Sequence, residues 1–149
     1  MSKEVRFRLP DETIARLERS ARRLGKKPSE AAAQLLDERL REIEFAFIEF
    51  RDSAVGRQAY MKGSSLAVWE VMMIAEAYDM DPAKTATHSE WKEVKVRAAM
   101  SYADVYNDEI QSALEENRSI TPDILKRSVP NLQMVVTSAH SDEVPAGKH

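Results

Sequence analysis

The chain contains no cysteine. Disulfides and thiolate metal sites are therefore excluded, and the composition fits a reducing cytosol. No stretch approaches the roughly 18 uninterrupted apolar residues of a membrane span. The N-terminus also lacks the apolar segment of a secretory signal. Both absences predict a cytoplasmic protein with no membrane partner. Glycine occurs at only four positions, 25, 56, 63 and 147, too scattered to build a loop that cradles phosphate. The three histidines, His88, His140 and His149, are equally dispersed. Nucleophilic catalysis needs a Ser or Cys beside a base, and a metal centre needs clustered ligands. The sequence thus predicts no enzyme, no metal and no cofactor, with His88 a loop or helix-end residue.

Charge is plentiful and unevenly placed. The 149 residues carry a net charge of -3. Residues 1–30 hold nine Lys+Arg against five Asp+Glu, a net of +4, and the remainder holds thirteen against twenty, a net of -7. A basic head on an acidic body predicts two different partners, an anion for the head and something less acidic for the rest. At 43% hydrophobic residues the length suffices for one ordinary domain or two small ones.

Near the N-terminus, "KEVRFRLP" alternates strictly, with Val5, Phe7 and Leu9 on one side and Glu4, Arg6 and Arg8 on the other. That period predicts a strand, which must stop at Pro10 because proline has no N–H for a ladder. Asp11 is expected as the N-cap of a helix carrying Ile14, Leu17, Ala21 and Leu24 on its apolar stripe, ended by Gly25. Arg16, Arg19, Arg22 and Arg23 lie mostly off that stripe and read as a solvated face, with Glu12–Arg16 and Glu18–Arg22 as expected ion pairs. Pro28 opens a second helix with Ala32, Leu35, Leu36, Leu40 and Ile43 as its apolar face. One strand followed by two helices has no sheet to join, so it requires a second copy, paired antiparallel about a twofold axis. Such a ribbon fits the DNA major groove, where arginine recognises guanine. Arg6 and Arg8 as solvated charges guarding an edge strand remain the other reading of the same residues.

Residues 3 to about 48, through "VRFRLPDETIARLERSARRLGKKPSEAAAQLLDERL", resemble the ribbon-helix-helix DNA-binding domain of the Arc and MetJ repressors and of many bacterial antitoxins. The resemblance implies that Glu4, Arg6 and Arg8 read bases and that the start of the second helix, at Lys27 and Ser29, clamps a phosphate. Lys27 stands where many members place Ser or Thr.

Beyond it, "IEFRD" predicts a short strand, Gly56 and Gly63 bracket an expected hairpin with Tyr60 and Met61 in its second arm, and Ser64–Ser65 precede an apolar helix from Leu66 through Ile74. "MDPAKTA" predicts an Asp-capped helix opened by Pro82. "SEWKEVKVRAAMSYADVYNDEIQSALEE" predicts one long helix striped by Trp91, Val94, Ala98, Tyr102, Val105 and either Tyr106 or Ile110. Trp69, Met72, Met73 and Trp91 are expected in the core. Residues 48 to about 112, through "GRQAYMKGSSLAVWEV", resemble the domain of unknown function numbered 433, a winged-helix-like module found in antitoxins. Ala59 replaces the family's usual Pro, and Ser64–Ser65 replace its Thr-Arg.

The expected organisation is mainly α: residues 1–46 an intertwined ribbon-helix-helix dimer, 47–114 the winged-helix-like module, and 115–149 a partly disordered tail. In that tail Ile124, Leu125, Leu132, Met134 and Val135 are candidates for docking on a toxin, or equally on the chain's own domain. The order of modules implies an antitoxin of a type II toxin-antitoxin system. It would bind double-stranded operator DNA as a homodimer or higher assembly, autorepress, and neutralise a ribonuclease-like toxin of the PIN type. The alternatives are a dimeric interaction or scaffold protein, and a stand-alone transcriptional regulator without a toxin.

Overall fold

A computed structural model describes residues 2–118. These residues are mainly helical, with six helices and one two-stranded antiparallel sheet. The described residues divide into two compact units, the first ending at Ile43 and the second beginning at Glu44.

In the first unit, residues 2–10 form no regular element in the single chain. The strand expected over Glu4 to Leu9 is therefore not observed there, because its N–H and C=O groups have no second strand to pair with. Helix α1 spans Asp11–Leu24. Its N-cap is Pro10, not Asp11 as expected: the Pro10 carbonyl accepts the first helical bond from the Ile14 N–H at 3.0 Å. Asp11 and Glu12 instead sit in the first turn, where they favour the positive end of the helix dipole. The helix ends as the sequence predicts. Gly25 adopts φ 67, its N–H donates to the Arg22 carbonyl at 3.2 Å, and the Lys26 N–H donates to the Ala21 carbonyl at 2.9 Å. These two bonds close a Schellman turn, which only a residue tolerant of positive φ makes cheaply.

Helix α2 spans Pro28–Glu44, with proline at its first position, where a missing N–H costs nothing. Among the described residues of this unit the only fully buried apolar ones are Ala21 and Ala31, joined by Glu38. Many of the large apolar side chains are exposed: Val5 is 77% exposed, Phe7 63%, Ile43 65% and Leu36 56%, with Ile14 and Leu40 also exposed, whereas Leu17, Leu24 and Leu35 are half-buried. Two buried alanines cannot offset the ordering entropy of some forty residues.

The second unit opens with a hairpin, β1 (Ile48–Ser53) and β2 (Gly56–Met61), in register from Ile48 opposite Met61 to Ser53 opposite Gly56. The turn is Ala54-Val55, tied by Ser53, whose hydroxyl donates to the Gly56 carbonyl at 2.7 Å and accepts from the Val55 N–H at 3.2 Å. Gly56 and Gly63 thus do not bracket the hairpin; they bracket its second strand. Four helices follow, α3 (Val68–Ala77), α4 (Pro82–Ser89), α5 (Glu93–Val105) and α6 (Asn107–Asn117).

The Ser64–Ser65 pair does not cap α3. The N-cap is Ala67, and the buried Glu70 carboxylate reaches back to accept from the Ala67 N–H at 3.0 Å. Asp81 caps α4 as expected, accepting from the Ala83 and Lys84 amides at 2.9 and 3.1 Å.

The long helix expected over residues 89–116 is two helices broken at Tyr106 (φ -107, ψ 45). Trp91 precedes α5, and the buried stripe runs through Val96, Ala99, Tyr102, Ala103, Ile110 and Leu114, leaving Val94 and Val105 exposed. The break lets Tyr102 and Ile110 face the same core, while Asp108 and Glu109 take the first turn of the new helix. Ile48, Met61, Val71, Met72 and Ile74 complete that core, and Trp69, Met73 and Trp91 pack half-buried against its margin.

Candidate nucleic-acid interface

In the N-terminal segment the guanidinium Nε of Arg6 lies 2.6 Å from Glu4 Oε1, with both side chains largely exposed at 88% and 72%. An extended backbone sends i and i+2 to one face, so a contact between residues two apart accords with such a conformation. The pair is compatible with the alternation read from the sequence, although no strand forms over these residues. Arg8, two residues on, is exposed as well, as are Val5 and Phe7 between these charges. A strip of polar and cationic side chains thus alternates with an uncovered apolar strip.

Lys27 and Ser29 occupy the start of α2 and are exposed. The Lys27 carbonyl accepts from the Ala31 N–H at 2.9 Å, which makes Lys27 the N-cap. Pro28 has no N–H, so the amides of Ser29 and Glu30 are first-turn donors with no intrahelical acceptor. With a lysine at the N-cap and the positive end of the helix dipole behind, they suit an anion. The Glu30 carboxylate in the same turn opposes this charge.

The state of Arg16 and Arg22 on α1 was not legible in the spacing of the sequence. Neither Glu12–Arg16 nor Glu18–Arg22 forms an ion pair among the described residues. Elsewhere arginines find acids readily: Arg39 with Glu42 at 3.5 Å, Arg57 with Asp52 at 3.3 Å and Arg97 with Glu93 at 2.9 Å. A signal was present in composition, since residues 16–27 hold six cations and a single acid.

The second unit offers different chemistry. The Arg51 guanidinium donates through Nε (3.0 Å) and Nη2 to Glu49 Oε1, and through Nη1 to the Ser64 carbonyl at 2.6 Å. The Gly63 N–H adds a bond to the same Glu49 oxygen at 3.3 Å. This pins the loop after β2 onto β1. His88 lies in the last turn of α4, its Nδ1 2.7 Å from the Tyr78 hydroxyl. No group of three or more His, Cys, Asp or Glu among the described residues could hold a metal ion. A groove of about 520 Å³ opens between α3, α5 and α6, lined by Met72, Met80, Met100, Ile110 and, at its rim, Arg97 and Asp104. Ile124, Leu125, Leu132, Met134 and Val135, the candidates for toxin contact, lie outside the described residues.

No protein-family model, no curated protein and no solved structure matches the chain.

Proposed function

We propose that this chain is a dimeric, operator-binding antitoxin. Two copies pair their residues 4–9 as an antiparallel ribbon in an intertwined ribbon-helix-helix dimer. Glu4, Arg6 and Arg8 then read base edges in the major groove, and the start of α2 at Lys27 and Ser29 holds a phosphate.

The observation that carries the reading is the incomplete first unit. Val5, Phe7, Leu36, Leu40 and Ile43 are uncovered in a single chain that, among the described residues, buries only two alanines and a glutamate there. A second copy covers such a stripe and supplies the missing strand partner in one step, and doing so displays the Glu4, Arg6 and Arg8 strip twice over. Occupying its own promoter makes the dimer an autorepressor. The unit from Glu44 onward serves as a winged-helix-like module that, with the tail, holds a ribonuclease-like toxin. That half of the proposal is supported by the resemblance of "GRQAYMKGSSLAVWEV" and by the order of the two modules.

The test is fluorescence anisotropy of the full chain on its own upstream promoter duplex and on an unrelated duplex across a salt series, beside the Arg6→Ala, Arg8→Ala double variant at verified dimer size. Tight binding with a steep negative salt slope, and loss of site preference in the variant, is the expected result. Equal weak binding by both proteins would leave the arginines as a solvated edge and the chain as an interaction protein. Copurification with the product of the adjacent gene, and relief of its ribonuclease activity, tests the toxin half.

A further inference from the structure

From three exposed arginines of α1, Arg16, Arg19 and Arg22, we infer a second nucleic-acid contact: they bind backbone phosphates beyond those held at the start of α2. This rests on the proposed DNA reading and enlarges its footprint.

At about 100° per residue, the three arginines spread over roughly a 120° arc of α1. That arc is centred opposite the stripe of Ile14, Leu17, Ala21 and Leu24, so the three arginines share the face away from that stripe. All three are exposed. Acids stand within reach, Glu12 on that face and Glu18 beside it, yet neither closes on an arginine among the described residues. In the sequence two further exposed cations, Lys26 and Lys27, follow the Gly25 turn. Six cations and one acid in residues 16–27 give the segment a net of +5 in a chain whose total is -3. Such local excess works against folding through self-repulsion and contributes most when a polyanion neutralises it. Duplex DNA, with a negative charge every ~1.7 Å of axis, is the polyanion that such a set of cations matches. The interaction is electrostatic and sequence-independent, so it sets affinity and on-rate, whereas Arg6 and Arg8 set site preference.

The test compares the full-length wild type with Arg16→Gln, Arg19→Gln, Arg22→Gln and with the matching Arg→Lys triple variant. Each is titrated onto the upstream promoter duplex and onto an unrelated duplex from low to high salt. Expected is a salt slope shallower by about 0.9 for each phosphate that the Gln variant no longer neutralises. Its affinity for both duplexes should fall by the same factor, on the order of tenfold at low salt, with the preference ratio unchanged. The Lys variant should keep the wild-type slope, which separates removal of charge from failure to fold. A Gln variant with the wild-type slope overturns the inference while leaving the ribbon reading intact, whether the row is solvated or faces an acidic protein surface. A wild type that binds neither duplex overturns both.

Discussion

Glu49 and Arg51, neighbours on one face of β1, form an ion pair that also holds the loop following β2, since Gly63 donates to the carboxylate and the Ser64 carbonyl accepts from the guanidinium. The Arg51 hydrogen bond holds the Glu49 carboxyl below its ordinary value of 4.5, against an opposing push from burial. A depressed acid stabilises the fold fully above its unfolded pKa, and that contribution is lost as pH falls through the lower folded value. Thermal unfolding followed from pH 7 down to 3 should show a decline below about 4.5 that Glu49→Gln flattens. An identical acid limb in the variant would place the loss elsewhere.

The apolar stripe of the first unit gives a second prediction. Leu40→Glu places a charge where a second copy would cover the side chain, and burying it unpaired costs several kcal/mol. Sedimentation should then give a monomer with reduced helical signal. If Leu40 is merely a solvated residue, the substitution stays within about 0.5 kcal/mol and the mass does not change.

Gly25 offers a cleaner backbone test. A Cβ added there meets nothing within 4 Å, so Gly25→Ala is opposed only by the positive φ of 67. The expected loss is about 1 kcal/mol, read from chemical denaturation, with Gly25→Asn losing less.

Tyr102, fully buried, donates its hydroxyl to Glu109 Oε2 at 2.7 Å across the α5–α6 break and packs edge-on against Phe45 at 5.3 Å. Tyr102→Phe keeps the ring and removes the bond, costing about 1–2 kcal/mol, whereas Tyr102→Ala also opens a cavity and costs about 3–5. Denaturant midpoints for the two variants should separate accordingly; equal losses would mean that the ring contributes nothing beyond its hydroxyl.

What was legible in the sequence was written in local backbone chemistry. Gly25, Pro28 and the Asp81-Pro82 pair mark helix ends through φ restriction, a missing N–H or a side-chain acceptor, and none of these depends on the rest of the molecule. The break at Tyr106 was not legible, because residues 93–117 contain neither Gly nor Pro and a break there is decided by how Tyr102 and Ile110 share a core. The same tertiary demand moved the buried stripe from Val94 and Val105 to Val96 and Ala99. At the candidate interface, the alternation of Glu4, Arg6 and Arg8 was plain. The expected Glu12–Arg16 pair does not form although Glu93–Arg97 closes at the same i,i+4 spacing; exposed pairs are worth so little that spacing alone does not decide which of them closes.

If a second copy closes the stripe of Val5, Phe7, Leu36, Leu40 and Ile43, assembly of the first unit is a bimolecular event, and its population scales with the square of chain abundance at low expression. On the proposed operator-binding reading, the promoter would then respond to the level of this chain as a threshold, staying open while chains are scarce and shutting over a narrow rise in their number.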